Sequence, residues 1–217
     1  MAERGRFITL EGIEGAGKTS QLAAAAGYVE SQGRRVITTR EPGGTRLGEG
    51  VRAVLLDPRY TGMTPEAELL LIFAARAEHV RRVIEPALAQ GTWVICDRFT
   101  DASYAYQGGG RGMAPERIAI LEDWVQGDLR PDLTVLFDLP VQLGLRRAGS
   151  RSAADRFEQE QAAFFERVAE AYRARAEAHP ERYRILDATA APEAVENALR
   201  GALEGLLSAT ASGVPGQ

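Results

Sequence analysis

Short, almost uninterrupted apolar runs alternate with longer stretches of helical period along the whole chain. RFITLEG (Arg6–Gly12), VITTR (Val36–Arg40), WVICD (Trp93–Asp97), LTVLFDL (Leu133–Leu139) and RYRIL (Arg182–Leu186) read as strands,. Between them the pattern predicts a helix from Lys18 to about Gln32, stopped by Gly33, and a shorter one over Leu47–Leu56, ended near Pro58,. A longer one opens at Thr64-Pro65-Glu66 and runs to about Gln90, stopping or kinking at Pro86,. Pro115–Gln126 is another amphipathic helix. Asp155 and Glu158 have the spacing of a capping pair that opens a long helix, with Phe157, Phe164, Phe165, Val168 and Tyr172 on its apolar face and Pro180 at its end,. Pro192 starts a final helix to Leu207. Strands apolar at nearly every position are buried on both faces. The expected fold is therefore α/β: a five-stranded parallel sheet with helices on both faces, forming one domain over residues 1–207, with 208–217 as a disordered tail,. In such folds ligands bind beyond the carboxyl ends of the strands.

One motif falls at such an end. Gly12–Thr19 reads GIEGAGKT, a match to GxxxxGK[ST] between a predicted strand and a predicted helix, which is the context a P-loop needs,. A string of this kind arises by chance in about one chain in a hundred of this length. The fold class is thus P-loop NTPase. Gly12, Gly15 and Gly17 let the backbone amides approach phosphate oxygens, and the helix start adds the positive end of its dipole. Lys18 is placed to bridge β- and γ-phosphates and the Thr19 hydroxyl to ligate Mg²⁺. The ATP-binding set is then Gly12, Ile13, Glu14, Gly15, Ala16, Gly17, Lys18, Thr19 and Ser20.

Composition narrows the partners. The 217 residues carry a formal charge of −4, the wrong sign for a chain whose affinity rests on a nucleic-acid backbone,. No apolar stretch is long enough to cross a bilayer, and MAERGRFITL lacks the regions of a signal peptide, so a cytoplasmic location is expected,. Cys96 is the one cysteine and reads as a small buried strand residue; His79 and His179, the two histidines, read as solvent-facing helix residues,. With so few soft ligands, any metal must be held by oxygen. Of the 26 basic residues only Lys18 is lysine, so the cradle keeps a compact ammonium where the rest of the chain uses guanidinium,. Arginines at loop and strand ends, Arg40, Arg52, Arg98, Arg146, Arg147 and Arg151, suit a site that brings two anions together. Arg173, Arg175 and Arg182 read as solvated surface.

Several ordered segments together resemble the bacterial thymidylate kinase family over roughly Arg6–Leu207: LEGIEGAGKTS (Leu10–Ser20), TREPGGT (Thr39–Thr45), FAAR (Phe73–Arg76), CDRFTDASYAYQGGGR (Cys96–Arg111) and RPDLTVLFDLP (Arg130–Pro140). The resemblance implies transfer of the γ-phosphate of ATP to dTMP, with Mg²⁺, in a homodimer. It implies that Glu14 faces the acceptor's 3′-hydroxyl, that Arg98 and Arg52 hold its phosphate, and that Asp97 lies near the magnesium water shell. Arg76 and Gln107 match readers of the thymine edge, with Ser103 beside them, and Tyr106 matches the tyrosine that crowds the sugar 2′ position. LRRAGSRSAADRFE matches an arginine-bearing lid over about 146–157, with Arg151 over the transferring phosphoryl group and Arg147 near the adenine or the phosphates. Lys18, Arg98 and Arg151 are then the catalytic residues. Two positions depart from the family pattern. Ile72 stands where an aromatic residue commonly stacks on thymine, with Phe73 one place later as the expected substitute, and Gly149 replaces a frequent lid arginine. The alternatives are another nucleoside monophosphate kinase of the same architecture and a catalytically weak nucleotide sensor.

Overall fold

The computed structural model describes residues 3–149, 155–158 and 160–211. The chain runs β1 (Phe7–Glu11), α1 (Lys18–Ser31), β2 (Val36–Arg40), α2 (Arg46–Leu56), α3 (Pro65–His79), α4 (Glu85–Ala89) and β3 (Trp93–Asp97). It continues through α5 (Thr100–Ser103), α6 (Pro115–Gln126), β4 (Leu133–Asp138), α7 (Val141–Ala148), α8 (Ala162–Ala178), β5 (Tyr183–Asp187) and α9 (Pro192–Ala211). The sheet is parallel throughout in the order β2-β3-β1-β4-β5. The expected α/β fold with five parallel strands is what the chain adopts.

Alternation along the central strands divides the core. Ile8 and Leu10 of β1 and Trp93 and Ile95 of β3 face a large cluster that includes Val29, Phe165, Tyr172 and Leu203. Phe7, Val94 and Cys96 face the other way, against Val80, Ile84, Leu88 and Phe99,. Each fully buried aliphatic or aromatic side chain contributes about 1.5–3 kcal/mol, and β1, buried at every position, is the most heavily covered strand,. Cys96 is buried as expected. The chain leaves β1 toward β2 and β3 on one side and returns with β4 on the other, so the carboxyl end of β1 lies where ligand crevices open in such sheets,.

Several details differ from expectation. The long helix after Thr64 widens into a π turn over Val80–Ile84 before α4, because Pro86 has no amide hydrogen to return to the preceding turn. The segment after β3 contains α5 and a π-helical stretch, Tyr104–Gly110, where no helix was expected. Its glycines look like a loop in sequence, but Gly109 permits close packing on α8: a Cβ there would lie 2.7 Å from the Arg167 carbonyl oxygen and from the Ala171 Cβ. Asp155 and Glu158 do pair, with Asp155 Oδ1 accepting from the Phe157 and Glu158 amides at 2.8 and 2.9 Å and Glu158 accepting from the Asp155 amide at 3.3 Å. They close a separate turn, however, and the long helix α8 begins only at Ala162. The final helix continues to Ala211, into the span expected to be a tail; residues 212–217 lie outside the described residues. His79 is fully buried rather than solvent-facing. Arg175 and Arg182 are not simple surface charges either: both pair with the buried Asp101, at 2.9 and 2.8 Å.

Candidate active site

A cavity of about 270 Å³ opens at the carboxyl end of the sheet, with Glu14–Thr19 as one wall. Gly12, Gly15 and Gly17 all have positive φ, and Gly15 passes so close to Gly144 of α7 that a Cβ would strike its carbonyl oxygen,. Lys18 is buried and donates to the carbonyl oxygens of Gly12 at 2.9 Å and Ile13 at 3.0 Å. Burial first, then the charge of Arg98, pull its pKa down to about 8. Thr19 lines the cavity, whereas Ser20 is exposed and is not among its walls.

Asp97 and Arg98 come from the end of β3 and line the same cavity, with Arg52 from α2. Arg98 is the one non-glycine residue with positive φ, 69°, among the described residues. A conformation of this kind costs about 1–3 kcal/mol and persists only where its surroundings hold it. Here they do. The Arg98 amide donates to Leu10 O at 3.0 Å, and the next amide, that of Phe99, donates to Glu11 Oε1 at 2.7 Å. The guanidinium donates to Gly12 O at 2.8 Å, the Tyr172 hydroxyl at 3.1 Å and Glu14 Oε1 at 3.0 Å. Tyr172 in turn donates to Glu11 Oε2 at 2.7 Å, and Tyr106 donates to Glu14 Oε2 at 2.6 Å. Glu11 is fully buried, and burial followed by the charge of Asp101 raises its pKa to about 7. It is absent from the residues expected at the site; the one sign of it in the sequence is an acid ending an otherwise uncharged apolar strand.

The cations are crowded. Arg52 donates to the Pro42 carbonyl oxygen at 3.1 Å, and its pKa is lowered by burial and then by Arg40 and Arg98. In both Lys18 and Arg52 burial is the main cause of the lowered pKa and neighbouring arginine charge adds to it, while at Arg98 burial is outweighed by the acidic groups around it, Tyr106 and Glu14 foremost, which hold its pKa up. An anion in the cavity would favour the charged forms of Lys18 and Arg52.

Tyr106 lines the cavity as expected, and its remaining walls include Glu41, Pro42, Leu55, Leu56, Ile72 and Gln107, with Asp155, Phe157 and Glu158. Phe73 is not among them. It lies behind, packed with Leu69 and Ile118 and under the Arg76 guanidinium, 4.5 Å from ring centre to Cζ. Successive helix positions differ by about 100°, so Ile72 turns to the cavity where Phe73 was expected,. Arg76, 1% exposed, donates to Glu41 Oε2 at 2.6 Å, Phe99 O at 3.1 Å and Ser103 Oγ at 3.1 Å, while its Nη1 has no partner. Neither Arg76 nor Ser103 is among the walls; both stand behind them, with Ser103 supporting Arg76. Glu41 also receives His79, whose Nδ1 lies 2.9 Å from Oε1 and whose Nε2 meets Thr39. Gln107 donates to Glu68 Oε1 at 2.8 Å. Arg147 donates to the Ala188 carbonyl oxygen at 2.8 Å, beyond the cavity walls. Of the lid expected over about 146–157, residues 146–149 at the end of α7 and 155–157 are described; Arg151 lies outside the described residues.

A profile described as thymidylate kinase matches residues 10–199. Thymidylate kinase of Pseudomonas putida is 58% identical over 203 residues, 94% of this chain and 97% of its own. That of Alkalilimnicola ehrlichii is 58% identical over 211 residues, 97% of each. The chain belongs to the thymidylate kinase family. The crystal structure of thymidylate kinase from Ehrlichia chaffeensis superposes with a TM-score of 0.72 at 35% identity, covering 94% of this chain and 99% of that one. As a thymidylate kinase, the chain is a nucleoside monophosphate kinase that phosphorylates dTMP to dTDP with ATP as donor. No helix among its described residues is long and apolar enough to cross a membrane.

Proposed function

We propose that the cavity holds dTMP with its phosphate toward the P-loop and that the residues around it divide the reaction as follows. Lys18 exchanges its two loop carbonyls for the β- and γ-phosphates of ATP. Arg52 and Arg98 hold the acceptor phosphate, one of whose oxygens attacks the γ-phosphorus as the bond to the bridging oxygen of ADP breaks. That oxygen is already anionic, so no general base is needed; positioned charge is the main requirement. Arg76 offers its unpartnered Nη1 and Gln107 its Oε1 to the thymine edge, and Tyr106 closes off the sugar. Arg151 is assigned to the transferring phosphoryl group, and Arg147 to the nucleotide, on family resemblance. The observation that carries this reading is the convergence of Lys18, Arg52 and Arg98 on one cavity, with a strained backbone at Arg98.

The donor set fits Mg²⁺. Asp97 Oδ1 is buried without a partner and Thr19 lines the same cavity. No group of three or more metal-binding side chains exists among the described residues. Mg²⁺ keeps several waters and takes one or two protein oxygens beside substrate phosphates. When bound, it would draw charge from the donor phosphates.

The homodimer rests on family membership and on an apolar face. α3 packs against both α2 and α6, and Leu47, Leu70, Ile120 and Trp124 stand exposed on these three helices, Trp124 at 79%,. Light scattering after gel filtration gives twice the chain mass if this holds, and a monomer mass removes it. The function is tested by ADP release with Mg-ATP against dTMP, dUMP, AMP, CMP and GMP. Selective turnover of dTMP is expected; preference for another monophosphate would overturn the thymine reading.

A further inference from the structure

Glu68 is a fully buried carboxylate on α3 that sequence reasoning passed over, set within the apolar run AELLLIF. Three hydrogen-bond donors from Gln107 and Arg111, and one ion-paired guanidinium from the turn at 155–158, converge on it. Gln107 Nε2 donates to Oε1 at 2.8 Å; Arg111 donates through Nε to Oε1 and through Nη2 to Oε2, both at 3.2 Å; and Arg156 Nη2 stands 2.6 Å from Oε2. A carboxylate between two guanidinium groups only accepts hydrogen bonds.

We propose that Glu68 is a specificity-determining positioning residue that selects an imide base by fixing the orientation of the Gln107 amide. The proposal rests on the reading of Gln107 as a reader of the base edge. A primary amide has a donor end and an acceptor end, and flipping it exchanges the two at almost no cost unless the surroundings discriminate. Glu68 discriminates. It can meet only the NH₂ end, so Gln107 Oε1 is turned away from it, and Gln107 is a cavity wall.

The group proposed above to read the base edge beside Gln107 is of the opposite kind. Arg76 Nη1 is a donor, and Arg76 cannot turn because Glu41, Phe99 and Ser103 hold its other nitrogens. With Arg76 as the second reader of the base edge, as proposed above, the base meets one donor and one acceptor. Thymine and uracil present a carbonyl acceptor beside an N3–H donor and satisfy both. Cytosine presents an amino donor beside a bare N3 acceptor and satisfies neither. A site built on hydrogen bonds rejects such a mismatch far more strongly than an apolar pocket rejects a methyl group. If Gln107 were free to flip, half of this rejection would be lost.

The experiment compares kcat/KM for dTMP and dCMP in wild type, Glu68→Gln, Arg111→Gln and Gln107→Leu, with a thermal melt for each. A glutamine side chain at position 68 can donate as well as accept, so Gln107 can flip, and the dTMP/dCMP ratio is expected to fall by at least about tenfold. Arg111→Gln keeps the carboxylate and is expected to leave the ratio within about twofold, although stability falls. A folded Glu68→Gln variant with an unchanged ratio overturns the proposal, as does an equal narrowing in Arg111→Gln. Gln107→Leu separates the two readings: if it leaves dTMP turnover intact, the base-edge assignment itself fails. If Glu68→Gln does not fold, N3-methyl-dTMP decides with the wild-type enzyme. Turnover equal to that of dTMP would mean that no acceptor meets N3 and would overturn the proposal, and its rejection is the expected result.

Discussion

Replacing Glu11 by glutamine should flatten the pH dependence of stability. Holding the buried carboxyl at about 7 instead of 4.5 costs its ionised form about 3 kcal/mol in the folded state,. The folded pKa is raised, so below pH 4.5 the group is protonated in both states and imposes no cost. As pH rises through 7 the folded protein must ionise it, and that increment of stability is lost. The amide of the Glu11→Gln variant never ionises, keeps an acceptor for the Phe99 amide and omits this loss. Urea unfolding of both proteins at intervals from pH 4.5 to 8 reads the difference, with the buried Trp93 as fluorescence reporter,. The gap between the two curves should move in the variant's favour by about 3 kcal/mol across that window, or roughly 6–12 °C in melting temperature. Titrating groups that do not feel Glu11 are common to both proteins and cancel; Lys18, which does feel it, titrates at about 8, at the upper edge of the window. Curves that run parallel would refute the argument and show that the Glu11 carboxyl is not displaced.

Lys18, with a pKa of about 8, is about half neutral at pH 8, and the phosphates of ATP favour its charged form. Nucleotide binding at pH 8 should therefore take up about half a proton, fading by pH 6.5,. Calorimetry in two buffers of different ionisation enthalpy measures this, and equal uptake at both pH values contradicts it. Arg98→Gly and Arg98→Ala should both lose at least about a hundredfold in kcat/KM, because both delete the guanidinium. Their melts should differ, with the glycine variant the more stable by about 1 kcal/mol because only glycine accepts φ near 69° without strain,. Gly109→Ala should lower stability by about 1–3 kcal/mol in a thermal melt, since its Cβ would overlap the backbone and Ala171 of α8,.

The strands and the cradle were legible because their signals are local. Apolar runs give β2 and β3 to the residue, and GIEGAGKT needs no partner to be recognised. What escaped depends on partners distant in sequence. Glycines at Tyr104–Gly110 look like a loop until α8 arrives to pack on them. His79 looks like surface until Glu41 and Thr39 close over both its nitrogens. Arg175 and Arg182 look solvated until Asp101 is found buried between them. Phe73 and Ile72 differ by a single helical step, and only the rotation of α3 against α6 decides which one reaches the cavity. Family resemblance supplied residue roles that composition and period could not, yet it did not reveal Glu11 or Glu68, which touch other residues and not the cavity.

The two ends of the cavity are made of different material. The groups beside the cradle sit where strands end: Asp97 closes the ladders of β3 with β1 and β2, the Arg98 amide donates to Leu10 O, and Lys18 opens α1 shortly after β1. Ile72 and Gln107, at the other end, sit on helical segments that pack on other helices, α3 on α2 and α6 and Tyr104–Gly110 on α8. A sheet resists displacement collectively, while a helix can slide or rotate by a fraction of a turn when its contacts change. Mutational drift in the helix layer can therefore reshape what the pocket accepts while the strand ends stay in register, giving the fold a rigid end and an adaptable one within a single cavity.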